Sequence, residues 1–246
     1  MEKKMAGLVL TTIVFLMLAF MAVAVDKSDA VSGGSVTAYA NGRLTNTGAG
    51  SHNARAGNVT QLNVTATKST GKWAGYFGQV TSALKLGFGS DVLYDFGSVT
   101  NSQIKSVFAA PDSAFDFSNL LAASAGNADS AWGFSTADVD SATSVFTGTA
   151  TIATVTSVPA VGLRAYEDTG TAQCAGCVLN TSIYKSGVFT DTASPAQEID
   201  FAFGVAVDAD ERDFRNLTLV DYELIVPVNT TGVGGTETYY FFLDVE

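Results

Sequence analysis

The chain has 246 residues, a formal charge of -11 and a charged fraction of only 15%. So acidic a chain offers nothing basic to follow a phosphate backbone, which argues against nucleic acid as a partner. Its charge density is also too low, and its apolar fraction of 47% too high, for a disordered acidic tail. Gly, Ser, Thr, Ala and Val dominate, the composition of a β protein long enough to bury a substantial core.

Lys3 and Lys4 precede an uncharged run from Met5 to Val25 that ends in Ala22-Val23-Ala24. A basic start, an apolar stretch and a small-x-small site are the plan of a secretory signal, so residues 1–24 are expected to be removed and the protein to work outside the cell. The run is also long enough to span a bilayer of roughly 30 Å. An uncleaved N-terminal segment is therefore the one route to a membrane. Residues 25–56 follow as a flexible N-terminal segment rich in Gly and Ser, with a single strand-competent stretch, Ser35-Val-Thr-Ala-Tyr-Ala40. That stretch is a candidate donor strand for another copy.

Residues 57–246 are expected to form the folded domain. Leu62, Val64 and Ala66 alternate with Asn63, Thr65 and Thr67, which predicts a half-buried strand with Asn63 on its solvent side. Trp73–Val80, Ala83–Phe88, Val92–Phe96 and Ile104–Ala110 are short β-prone runs closed by Gly, Ser, Asn or Asp, and predict a meander. Phe117–Ser124 and Asp138–Phe146 are the two segments predicted helical, the first capped by Ser118 and the second with Asp138 and Asp140 at its positive end. Ile199, Phe201, Phe203, Val205 and Val207 alternate with smaller or polar residues, as in a strand with one face buried. Leu217–Val228 and Thr238–Val245 close the chain and are expected to pair as an antiparallel hairpin. Many short strands without a βαβ rhythm predict an all-β fold, an antiparallel β-sandwich or jelly roll with one or two short helical excursions.

Five Asn-x-Ser/Thr triplets without proline, at Asn58, Asn63, Asn180, Asn216 and Asn229, are glycosylation acceptors in an exported chain. Outside the cell Cys174 and Cys177 are expected to form a local disulfide rather than a redox or zinc pair, since Val178 excludes a haem motif and His52 is the sole histidine. So short a loop contributes only about 2 kcal/mol or less on chain-entropy grounds. Asp208, Asp210, Glu211 and Asp213 crowd one loop, where the choice lies between a calcium site and a solvated acidic turn. No other cofactor is implied. No HExxH, Walker or GxSxG motif is present, and Ala122-Ala-Ser124-Ala-Gly126 lacks the first glycine, so Ser124 reads as a helix-end residue and the chain as a non-enzyme. Trp73, Tyr76, Phe77, Trp132 and Phe134 read as core rather than as a sugar platform.

Gly71-Lys-Trp-Ala-Gly-Tyr-Phe-Gly78, Val92-Leu-Tyr-Asp-Phe96, Tyr222-Glu-Leu-Ile-Val-Pro227 and Thr238-Tyr-Tyr-Phe-Phe-Leu-Asp244, in that order, resemble secreted archaeal surface proteins. The resemblance implies a glycosylated, β-rich structural subunit that self-associates, in some cases into extracellular filaments by strand addition. The readings beside it are a monomeric calcium- or glycan-binding module and a pilin that retains its hydrophobic helix.

Overall fold

In the computed structural model, residues 31–39, 41–99, 104–117, 120–151, 173–180, 185–208, 211–228 and 236–245 are described. The N-terminal signal, Ser118, Asp210 and Asn229 lie outside them. In chain order the strands are β1 (Val31–Gly33), β2 (Trp73–Gly78), β3 (Ser82–Phe88), β4 (Asp91–Val99), β5 (Ile104–Ala110), β6 (Leu121–Ala122) and β7 (Gly148–Thr151). They continue with β8 (Gln173–Asn180), β9 (Lys185–Thr190), β10 (Phe201–Ala206), β11 (Glu211–Arg212), β12 (Leu219–Val220), β13 (Tyr222–Pro227) and β14 (Tyr240–Val245). Two short helices, α1 (Ala125–Ala131) and α2 (Ala142–Val145), complete an all-β fold in which every pairing is antiparallel.

An eight-stranded sheet in the order β1-β14-β5-β10-β9-β8-β7, with β6 also on β9, carries the core. β10 lies between β5 and β9, with Phe203 opposite Ala109 on one side and Val188 on the other. Phe201, Phe203 and Val205 point to the face covered by the β2–β13 ribbon and the two helices, where they meet Trp132, Phe146, Leu224 and Val226. The Trp132 ring stands 5.4 Å from Phe201 and 5.5 Å from Phe203, edge to face. Each such buried ring contributes roughly 1.5–3 kcal/mol through loss of apolar surface from water.

Alternation along β10 leads sequence reasoning to one buried face, but the structure buries both. Ala202 is inaccessible as well, packed in a second cluster with Phe108, Phe115, Phe117, Leu120 and Phe189. Gly204 is small because it must be: a Cβ there would lie 2.7 Å from the Phe108 ring and 3.0 Å from that of Phe189. Small residues on the second face thus make room for aromatics from neighbouring strands, a role that polarity patterns do not reveal.

Three further expectations are corrected. β13 does not pair with β14; its partner over its whole length is β2, from Tyr222 opposite Gly78 to Pro227 opposite Trp73, while β14 joins β5 and β1. The connection between β13 and β14 is too long for a tight turn to set their register, so distant partners decide. Of the expected meander only the β3–β4 step exists, since β2 goes to β13 and β5 to the main sheet. The first helix begins one element later than predicted: Leu121–Ala122 is strand, and Ser124 caps α1 by accepting from the Asn127 amide at 3.2 Å. Ser124, expected at the C-terminal end of the first helix, is instead the N-cap of α1. At α2, Ser141 is the cap and the buried Asp129 carboxylate accepts from the Ala142 and Thr143 amides, the role expected of Asp138 and Asp140.

Candidate assembly surface

β1 is the edge of the main sheet, three residues long, with Val31 opposite Asp244, Ser32 opposite Leu243 and Gly33 opposite Phe242. The Gly34 amide adds a bond of 2.7 Å to the Phe241 carbonyl. The chain then leaves the body. Over its described part, residues 35–39, the predicted strand does not form; residues 35–39 and 41–68 are all exposed and in no strand. Leu62 and Val64, expected on a buried face, are 56% and 88% exposed. Their alternation is that of a strand, but among the described residues no strand pairs with Leu62–Ala66, so the parity reasoning for Asn63 has no sheet to refer to.

Among the described residues the arm is fastened at its base. Thr47 and Thr67 exchange two bonds of 2.8 Å, from the Thr47 amide to the Thr67 carbonyl and from the Thr67 amide to Thr47 Oγ1. Arg43 Nε donates to Ser69 Oγ at 2.7 Å. Beyond them Lys72 Nζ lies 2.5 Å from Asp138 and 3.0 Å from Asp140, and Trp73 Nε1 donates to the Asp140 carbonyl. Partial burial by itself would lower the Lys72 ammonium, but the two carboxylates raise it, so the corner stays charged.

A second exposed element is the β3–β4 hairpin, which among the described residues pairs with no other strand. Its turn uses Gly89 at φ 60°. Register shifts leave Phe96 and Leu93 of β4 without direct partners, and Gly97 at φ 93° adjoins the first shift. Lys85 and Asp95 face each other, 3.3 Å apart. The Gly97 amide and then Lys85 hold the Asp95 carboxyl below its usual range.

The acidic turn is largely occupied by its own chain. Asp213 Oδ1 accepts from the Arg215 amide at 3.1 Å and the Leu217 amide at 2.9 Å. Its Oδ2 accepts from Arg215 Nη2 at 2.6 Å, Arg215 Nε at 3.0 Å and Thr218 Oγ1 at 2.8 Å. Burial alone would raise this carboxyl, yet the bonds from Leu217, Arg215 and Thr218 hold it far below the ordinary carboxylate value. Glu211 sits on the small β11–β12 ladder and is exposed, as is Asp208. Among the described residues no group of three or more His, Cys, Asp or Glu is placed to hold a metal ion. Arg215 also stacks on Phe77 and Phe214, 4.8 Å and 5.4 Å from their centroids. Phe77 is thus the exception among the predicted core aromatics: Trp132 and Phe134 are buried, and Trp73 and Tyr76 pack against the core.

Of the acceptor asparagines, Asn58 and Asn63 lie in the exposed arm and Asn216 in the exposed turn at φ 59°. Asn180 ends β8 opposite Lys185. Cys174 and Cys177 both lie in β8, whose ladder with β7 shifts register so that Cys177 falls between the paired residues Ala175 and Val178; their side chains lie outside the described residues. No protein-family model matches the chain, and no curated protein or solved structure is similar to it.

Proposed function

We propose that this chain is a non-catalytic, secreted structural subunit of an extracellular filament or surface layer, in which each copy adds a β-strand to its neighbour. The observation that carries this reading is β1: a three-residue strand on the open edge of the main sheet, joined to the body by the exposed arm. β1 is held mainly by backbone bonds and buries little apolar surface, so the same bonds made to a neighbour's β14 are nearly equivalent in energy. Released from its Arg43–Ser69 and Thr47–Thr67 bonds and fully extended, the arm from Ser35 to Gly71 reaches on the order of 100 Å, more than enough to span to a second copy. Exchange of an edge strand in one direction is head-to-tail, and a head-to-tail contact that does not close generates a filament.

Export agrees with the N-terminal pattern, with glycans expected on Asn58 and Asn63 and with a Cys174–Cys177 disulfide, all readable by intact-mass analysis of secreted protein. The main test is deletion of residues 25–40. The truncated chain is expected to keep β-type circular dichroism while losing the filaments that the parent shows by electron microscopy. Unchanged filaments after deletion would overturn strand addition. A parent that stays monomeric at high concentration, with and without Ca²⁺, would hand the function to the monomeric calcium- or glycan-binding alternative; retention of the hydrophobic N-terminus in a filament core would favour the pilin.

A further inference from the structure

The β3–β4 hairpin is amphipathic, and its apolar face is bare. Leu84, Leu86 and Phe88 alternate along β3 onto one face; Tyr94, opposite Leu86, shares it, and Phe96 reaches Tyr94 with ring centroids 4.8 Å apart. Their exposures are 48%, 52%, 90%, 59% and 65%, where a half-buried sheet would show small values. Lys85 and Asp95 take the opposite face. A two-stranded ribbon is marginal on its own in water, and no other described strand pairs with either outer edge of this one.

The arm supplies what the hairpin lacks. Gln61–Thr67 has strand alternation, Leu62, Val64 and Ala66 against Asn63, Thr65 and Thr67, yet it is exposed throughout. Charge directs the pairing. The arm from Ser35 to Gly71 contains no Asp or Glu but carries Arg43, Arg55 and Lys68, the hairpin carries Asp91 and Asp95 against Lys85, and from Asp91 onward 21 acidic residues face 5 basic ones. Arms therefore repel one another and are drawn to acidic bodies, which favours arm-to-body over arm-to-arm contact.

We infer that the hairpin is the docking surface for the Gln61–Thr67 stretch of a second copy's arm, added as a third strand with Leu62, Val64 and Ala66 extending the apolar face of Leu84, Leu86 and Phe88. Asn63 and Thr65 then point away from that face, so a glycan on Asn63 is compatible with docking. The inference deepens the filament reading and rests on it for the biological setting, but it is a separate contact from the β1 exchange.

The test uses the full chain with benzoylphenylalanine at position 88, mixed with ¹⁵N-labelled parent and irradiated. The expected product joins position 88 to residues 59–67 of the labelled copy, and Leu62→Ser/Val64→Ser in that copy lowers its yield at least about tenfold through lost apolar burial. Cross-links confined to one chain would show that the arm folds back on its own hairpin, and cross-links elsewhere would remove the arm as occupant; either overturns the inference. So would co-flotation with phosphatidylcholine/phosphatidylglycerol vesicles that Leu86→Ser/Tyr94→Ser abolishes, with no cross-link between copies, since the hairpin would then face lipid. Electron microscopy of the same samples separates the two proposals: filaments without the cross-link sink this contact alone, and the cross-link without filaments leaves the contact and sinks the filament.

Discussion

β10 and β3 are both short antiparallel strands that place large apolar side chains on alternate positions, and they have opposite fates. Phe201, Phe203 and Val205 are inaccessible, under Trp132, Leu224 and Val226; Leu84, Leu86 and Phe88 lie open to water. What differs is neither propensity nor pattern but neighbours: among the described residues β10 has a strand on each side and layers on both faces, while β3 has one strand and no layer. Alternation tells which residues will share a face, and only tertiary placement tells whether that face belongs to the core or is offered to another molecule.

The comparison is broken most directly by truncating one residue from each strand. Phe203→Ala is expected to cost about 3–5 kcal/mol in chemical denaturation, through lost burial and the cavity left behind. Leu86→Ala in the isolated chain should stay within about 0.5 kcal/mol of the parent, as exposed positions do. Equal losses at the two sites would mean that the hairpin face is covered within one chain.

A smaller effect sharpens it on the second face of β10. Gly204→Ala places a Cβ 2.7 Å from the Phe108 ring, and the repacking should cost about 1–3 kcal/mol. At the sheet edge Gly33 has nothing within 4 Å of its notional Cβ, so Gly33→Ala should leave the melting temperature nearly unchanged.

A further small effect concerns charge beside the buried aromatics. Partial burial raises the Asp191 carboxyl above its ordinary value; the Asp116 amide bond opposes this, and the Asp200 and Asp116 charges add to it. A carboxyl raised by folding contributes stability that is complete below about pH 4 and lost as pH rises through its folded value. Asp191→Asn should therefore stabilise the protein at pH 7 by a few tenths of a kcal/mol, the solvent-screened scale, and show no gain at pH 4 in parallel thermal melts.

Much of the fold could be read from residues. The all-β class, the strand at Phe201–Ala206 and the runs that become β2, β13 and β14 all follow from period and turn chemistry. Pairing did not, because the β2–β13 ladder joins segments far apart in sequence and no local turn encodes it. α1 was missed because Ala-Gly-Asn-Ala-Asp-Ser-Ala has no apolar period; its cap and the Trp132 packing behind it hold the helix. The arm misled for the opposite reason, a good strand pattern with no strand partner among the described residues. One pattern was visible and went unused: the acid-free stretch from Val31 to Ser90, which marks the arm as electrostatically unlike the body it joins.

That arm also makes the molecule severable. Arg55 stands near its middle with every described neighbour from Asn41 to Lys68 exposed, the setting in which a trypsin-like protease cuts first. A single cut there leaves β2 to β14 intact but turns the segment bearing β1 into a separate peptide. Held by a short ladder and by the Thr47–Thr67 and Arg43 bonds at the base, that peptide loses its covalent link to the sheet, and its return depends on its concentration in solution. Proteolysis of one exposed bond would thus uncover the β14 edge without unfolding the body, and a copy whose arm is engaged by a neighbour would resist the cut that a lone copy suffers.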